Sequence, residues 1–113
     1  VNLAFATEEL REQCEIQVIG ERAFGAEVAG QLRERLASMR EADGVQELLT
    51  GRPRPLPESD GRCYVIDLPE DFRMEICANH PVPPLLPGTH RVDWSRVTRI
   101  AVRSVARIEA ADD

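Results

Sequence analysis

All eight prolines of this 113-residue chain fall between positions 53 and 87. Proline lacks an amide N–H and fixes φ, so it ends helices and is tolerated in sheets only at edges, bulges and turns. Long helices are therefore confined to the stretch before Pro53, and any strands beyond it must fit between the proline clusters. The first cluster, from Thr50 to Asp60, alternates Pro53, Pro55 and Pro57 with other residues and predicts an extended loop. The second, from His80 to Arg91, holds Pro81, Pro83, Pro84 and Pro87 and predicts irregular backbone. Pro69 stands apart, in a Pro69-Glu70-Asp71 turn.

Before the first cluster, Asn2 to Ala6 predicts a short edge strand. Thr7 predicts an N-cap, with Glu8 and Glu9 in the first helical turn, where the helix dipole favours negative charge. This first helix is expected to run to about Ile19 and to stop at Gly20. A second is expected from about Glu21 to Ala42, because Phe24, Val28, Leu32, Leu36 and Met39 recur at helical spacing and line one face. Asp43-Gly44 ends it, and Val45 to Leu49 predicts one further short turn. The two helices predict an αα-hairpin.

Beyond the first cluster, Arg62–Leu68 and Phe72–Ala78 predict a β-hairpin, and Thr98–Ile108 a last strand. Alternation puts Phe72, Met74 and Ile76 on one face and Arg73, Glu75 and Cys77 on the other. On the last strand Ile100 and Val102 are expected inward, with Arg99, Arg103 and Arg107 outward. The fold class that follows is α+β: an N-terminal strand and an αα-hairpin packed on a small antiparallel sheet, in a single domain spanning 1–113.

With 42% hydrophobic and 30% charged residues, the composition is that of a globular chain. No apolar run approaches the roughly 20 residues that span a bilayer, and no charged-then-apolar leader opens the sequence, so a cytoplasmic protein is expected. Cys14, Cys63 and Cys77 are odd in number and lack CxxC spacing. They are expected as small buried hydrophobes in a reducing compartment, with neither a disulfide framework nor a metal site.

A net charge of −6 argues against a general nucleic-acid coat. The charge is uneven. Residues 1–50 carry 5 arginines against 10 acids, whereas residues 51–108 carry 9 arginines against 7 acids. All 14 basic residues are arginine, so any cation-assisted chemistry must use guanidinium.

The common catalytic motifs are absent: no GxGxxG, P-loop, HExxH or GxSxG. His80 and His90 lie in the second proline cluster and are expected to be exposed and without a task. Glu8, Glu9, Glu12 and Glu15 share much of one helix and predict a solvated or partner-docking face. The arginines remain. Arg73, Arg99, Arg103 and Arg107 on the predicted sheet, with Arg52, Arg54 and Arg62 near the first proline loop, form a candidate phosphate-binding set, since guanidinium forks match phosphate oxygens. The competing reading is surface ion pairs with Asp67, Glu75 and the acidic helices.

Several segments together resemble the RelE/ParE toxin superfamily and, within it, the HigB-like plasmid maintenance killer group. Asn2-Leu3-Ala4-Phe5-Ala6-Thr7 with Glu9-Leu10 resembles the family's first strand and helix, and Ala29 to Ala42 its second helix. Val65-Ile66-Asp67-Leu68 and Asp71-Phe72-Arg73-Met74-Glu75-Ile76 resemble its central hairpin, with an aromatic-arginine pair opening a strand. Asn79-His80-Pro81-Val82-Pro83, leading to Val92-Asp93-Trp94-Ser95-Arg96-Val97-Thr98-Arg99-Ile100, resembles its Pro-Val-Pro loop and the entry to its last strand.

The resemblance implies the toxin of a two-component module, neutralised by a helix-turn-helix (HigA-like) antitoxin. It also implies a metal-independent, cofactor-free endoribonuclease acting on messenger RNA at the ribosome. There the 2′-hydroxyl attacks the adjacent phosphate and basic residues stabilise the developing charge. Arg73 matches the aromatic-arginine pair and is the implied catalytic residue. Arg54, Arg62, Arg103 and Arg107 are the candidate RNA- or phosphate-binding residues. Where the family ends its last strand in Asp-Tyr-His, this chain reads Arg107-Ile108-Glu109, leaving Glu109 or Tyr64 as candidate proton carriers. Two other functions fit the same family: a catalytically silent binding protein acting as antitoxin partner or corepressor, and a ParE-like gyrase inhibitor.

Overall fold

In a computed structural model, which describes residues 1–44, 52–59 and 61–108, Thr7 adopts an extended conformation and its hydroxyl accepts the Leu10 N–H at 3.0 Å. The helix it caps, α1 (Glu8–Glu15), follows β1 (Asn2–Phe5) and carries Glu8 and Glu9 in its first turn. It ends earlier than expected. The chain becomes extended at Ile16 and restarts as α2 (Gln17–Phe24), and α3 (Ala26–Glu41) follows after Gly25. Among the described residues the helical half is thus three helices, and Gly20 is not a stop. It lies inside α2, buried against α1, where a Cβ would come within 2.5 Å of the Gln13 carbonyl oxygen. The glycine with the conformational task is Gly25, whose φ of 89° lets the chain turn between α2 and α3. The expected turn at Val45–Leu49 lies outside the described residues.

The strands form one mixed sheet in the order β1-β5-β4-β3-β2. The predicted hairpin is β3 (Cys63–Asp67) with β4 (Phe72–Ala78), turned by Glu70 and Asp71, both at positive φ. The last strand, β5 (Arg99–Arg107), lies antiparallel to β4, while β1 adds to its other side in parallel. Within the first proline loop Arg54–Pro55 form β2, a two-residue edge strand on β3. A proline is tolerated there because an edge strand leaves its N–H side unpaired.

The helices cover one face of this sheet. Val28, Leu32, Leu36 and Met39 of α3 and Phe24 of α2 join Ile66, Met74, Ile76, Ile100 and Val102 in one hydrophobic cluster. Phe24 and Phe72 meet edge to face, with centroids 5.6 Å apart. The architecture of N-terminal strand, helical layer and mixed sheet is consistent with a RelE/ParE-like fold in general.

Two expectations about small polar groups are corrected. Cys63 and Cys77 are directly opposed across β3 and β4 and form a disulfide, so only Cys14 stays free. Sequence spacing could not show this, because the pairing depends on the hairpin register. Such a closure of a loop of about 15 residues contributes about 3 kcal/mol in the chain-entropy view. His80 likewise has a task. Its Nε2 accepts the N–H groups of Thr98 and Arg99 at 3.0 and 3.2 Å and fastens the second proline loop to the start of β5. Among the described residues no helix is long and apolar enough to cross a membrane.

Because α1 and α2 meet closely at Gly20, Gly20→Ala is expected to destabilise the fold by about 1–3 kcal/mol despite alanine's better helix propensity. Urea denaturation would show it as a lower midpoint; an unchanged or raised midpoint would contradict the close approach.

Candidate functional site

On the sheet face away from the helices, the pairing of β2, β3 and β4 gathers side chains from both sides of the first proline loop. Asp67 ends β3 directly opposite Arg73, the second residue of β4. Arg54 of β2 pairs with Val65, two residues before Asp67, and therefore lies on the same face. The outcome is three arginines around one carboxylate. Arg52 donates to Asp67 Oδ2 through Nη2 at 2.6 Å and Nε at 2.9 Å. Arg54 Nη2 donates to Oδ1 at 3.0 Å, and its Nη1 holds the Arg52 carbonyl at 3.0 Å.

Arg73 is the third and is incompletely paired. Its Nε stands 3.8 Å from Asp67 Oδ1, beyond hydrogen-bond reach, and is a buried polar atom without a partner. Leaving such a donor unsatisfied costs about 1–3 kcal/mol. The side chain as a whole remains 39% exposed. It forms a wall of a shallow hollow of about 190 Å³, shared with Glu75, Ser104, Ala106, Arg107 and Ile108. Three guanidinium charges on one carboxylate leave a local excess of positive charge. The hydrogen bonds from Arg54 and then Arg52 hold the Asp67 carboxyl below its ordinary range, against the opposing effect of its burial.

The other candidate arginines do not join this cluster. Between Glu75 and Ile76 the β4–β5 register shifts, so Ser104 faces Glu75 and Val102 faces Ile76, with Arg103 as the extra residue. This bulge reverses the alternation along β5. Arg103 stays on the outer face, its Nη1 3.9 Å from Cys77 Sγ. Arg107, expected on that same face, is instead paired in register with Phe72, and its guanidinium lies 5.0 Å over the Phe72 ring. It still borders the hollow but turns its charge toward Glu70, at 4.0 Å. Arg62 lies in a separate hollow with Arg91.

The candidate proton carriers are also redistributed. Tyr64 pairs with the buried Ile76 and packs against Trp94, with centroids 4.6 Å apart and ring planes tilted by 58°, so it sits on the helix-covered face opposite Arg73. Glu109 lies outside the described residues. Glu75, read from sequence only as an ion-pair partner, is the carboxylate that shares the hollow with Arg73. The signal was present in the spacing, since residues 73 and 75 must share a face of an extended strand. Cys14 offers no nucleophile: burial pushes its thiol up to about 12. Among the described residues no group of three histidine, cysteine or acidic side chains could hold a metal ion.

The paired carboxylate gives a testable pH signature. A carboxyl held low in the folded state stabilises it above the unfolded pKa of about 3.9, and that stabilisation is lost as pH falls through the folded value. Melting curves of the wild type and Asp67→Asn are therefore expected to differ by a constant amount from pH 5 to 8 and to converge as the pH drops below about 4. A difference that persisted at low pH would show that Asp67 acts through packing instead.

Compared with known proteins, the chain matches no family model, no curated protein and no solved structure. The likeness to the RelE/ParE superfamily rests on its sequence segments and on the arrangement of its strands and helices.

Proposed function

We propose that this protein is the toxin of a toxin–antitoxin module and that it cleaves messenger RNA at the ribosome without a metal. The observation that carries the reading is Arg73, partly exposed at a hollow on the open sheet face and incompletely neutralised by Asp67. In the proposed chemistry an RNA phosphate rests against Arg73, with Arg54 and Arg52 adding positive potential from the proline loop. Glu75 accepts the 2′-hydroxyl proton as that oxygen attacks phosphorus. The P–O5′ bond breaks, leaving a cyclic phosphate, and the 5′-oxygen leaves with a proton from water. Arg73 stabilises the charge that builds on the non-bridging oxygens.

A second reading, a toxin-fold protein that binds without cleaving, is favoured by Asp67 itself, which already occupies two of the three guanidiniums. Induced expression separates the two. Growth arrest with cleavage of translated messages is expected for the wild type. Arg73→Ala should lower the cleavage rate by about 10²–10³, as loss of a charge-stabilising donor does elsewhere. Glu75→Gln should lower it while leaving RNA retention intact. A folded wild type that arrests nothing and cuts no message would leave only the binding reading, and growth arrest that stops replication with translated messages uncut would point to gyrase.

For the partner we infer a helix-turn-helix antitoxin that docks on the helical layer. That surface is acidic, and Ile16 and Val18 stand exposed at the α1–α2 junction. Co-expression with such a protein should give a stable complex by size exclusion, weakened by Val18→Asp. Separate elution of the two proteins at every ratio would remove this assignment.

A further inference from the structure

Among the described residues a hollow larger than the one at Arg73 lies by the second proline loop. It measures about 690 Å³ and is lined by Arg62, Pro83, Leu85, Thr89, His90, Arg91 and Val92, with no acidic residue among them. From its lining, its bracing and its charge, we infer that this hollow is a docking site for an extended peptide segment of a protein partner, one in which carboxylates alternate with aliphatic side chains. The inference is independent of whether Arg73 cuts RNA.

Three observations carry it. First, the cations are available. Seven of the fourteen arginines have a carboxylate within 4.0 Å; among the described residues Arg62 and Arg91, like Arg22, Arg33, Arg35, Arg99 and Arg103, have none, and these two are the ones that line this hollow. The Arg91 guanidinium lies over Gly61, where an added Cβ would be 3.5 Å from Nη2, so it is placed against backbone at the rim. In a chain of net charge −6, two arginines that have no carboxylate partner among the described residues, beside an apolar floor, are complementary to an acidic ligand.

Second, the apolar groups around the hollow are exposed. Val82 is 84% exposed, Leu85 39% and Leu86 40%, next to the Leu85 and Val92 lining. An apolar patch with arginine at its edge fits a protein–protein interface, whose core is apolar and in which arginine is enriched. Single-stranded RNA, the other polyanion to weigh, is bound by aromatic platforms on which bases stack. The one tryptophan nearby is buried and engaged, its indole N–H donating to the Gly61 carbonyl at 2.7 Å.

Third, the site is pre-formed. Leu85 bridges Val92, Leu86 N–H donates to the Arg91 carbonyl at 2.9 Å, and Asp93 N–H to the Pro84 carbonyl at 2.9 Å. Arg96, itself held by Asp93, donates to the Leu85 carbonyl at 3.0 Å. The proline-rich loop is thus a braced hairpin that presents its aliphatic groups in place, which lowers the ordering cost of binding.

The test is fluorescence anisotropy with a labelled peptide alternating glutamate and leucine, run against the full chain. Saturable binding is expected. Arg62→Gln, Arg91→Gln and Leu85→Ser should each weaken it roughly tenfold, and the remote exposed Arg22→Gln should leave it unchanged. Melting curves of all variants confirm that they fold. Equal binding of a glutamine-leucine peptide, equal binding by the arginine variants, or no saturable binding at all would overturn the site. Displacement of the peptide by a single-stranded RNA at equal concentration would reassign the hollow to nucleic acid and overturn it as well.

Discussion

The pairing of β4 with β5 governs what this molecule can display. It joins the hairpin β3–β4 to the parallel pair β5–β1, and with them makes the single sheet on which the helices rest. It also contains the bulge at Arg103. A regular pairing would have sent Arg103 and Arg107 to the same face, because residues four apart on a strand coincide. The extra residue breaks that parity. Val102 and Val105 both reach the core, and Arg107 is drawn over Phe72 instead of joining Arg73. One inserted residue therefore decides how many cations the outer face can offer.

What that face offers is a charge cluster set around Asp67. An isolated exposed ion pair contributes about 0–1 kcal/mol, so the stabilising value of any one of these contacts is small. Their geometry matters more. Asp67 holds Arg52 and Arg54 in place across a loop that is otherwise tied down by the two-residue strand β2 and by the Ser59 contacts to Leu56 and Cys63. The same carboxylate reaches Arg73 only at 3.8 Å. It orders the cations without neutralising all of them. An anion arriving at the hollow would meet Arg73, while Arg52 and Arg54, fixed by Asp67 outside its lining, add positive potential from set positions, which limits the reorganisation that electrostatic stabilisation requires.

Much of this was legible in the sequence, and the rest was hidden for identifiable reasons. The Phe72–Ala78 strand has the bounds and alternation read from its residues, and the Thr7 cap and the Val28-Leu32-Leu36-Met39 stripe are as expected. These features are local. The misread ones depend on contacts between distant segments. Gly20 looks like a terminator until α1 packs against it, and the Cys63–Cys77 bond exists only in one register of the hairpin. His80 is idle in a linear reading because its two donors sit at residues 98 and 99. Tyr64 lost its candidacy for the same kind of reason, since a one-residue offset from Val65 places it on the opposite face.

The net charge of −6 also reads differently once the charges have positions. Taken alone it argues against binding a polyanion. Yet most of the acidic excess belongs to residues 1–50, which supply the helical layer, with three further acids in 109–113, while residues 51–108, with 9 arginines against 7 acids, build the open sheet face and the second proline loop. The molecule measures 26 Å along its shortest principal axis, and the Debye length is about 10 Å at 0.1 M salt. At such ionic strength a ligand at the sheet responds to the arginines beside it and hardly at all to the carboxylates behind the core. Lowering the salt lengthens the reach of the helical acids, so anion binding here should gain less from dilution than binding to a uniformly basic protein does. Whether a face binds phosphate or peptide carboxylate is then settled by the few groups within a Debye length, and the total charge of the chain is a poor guide to either.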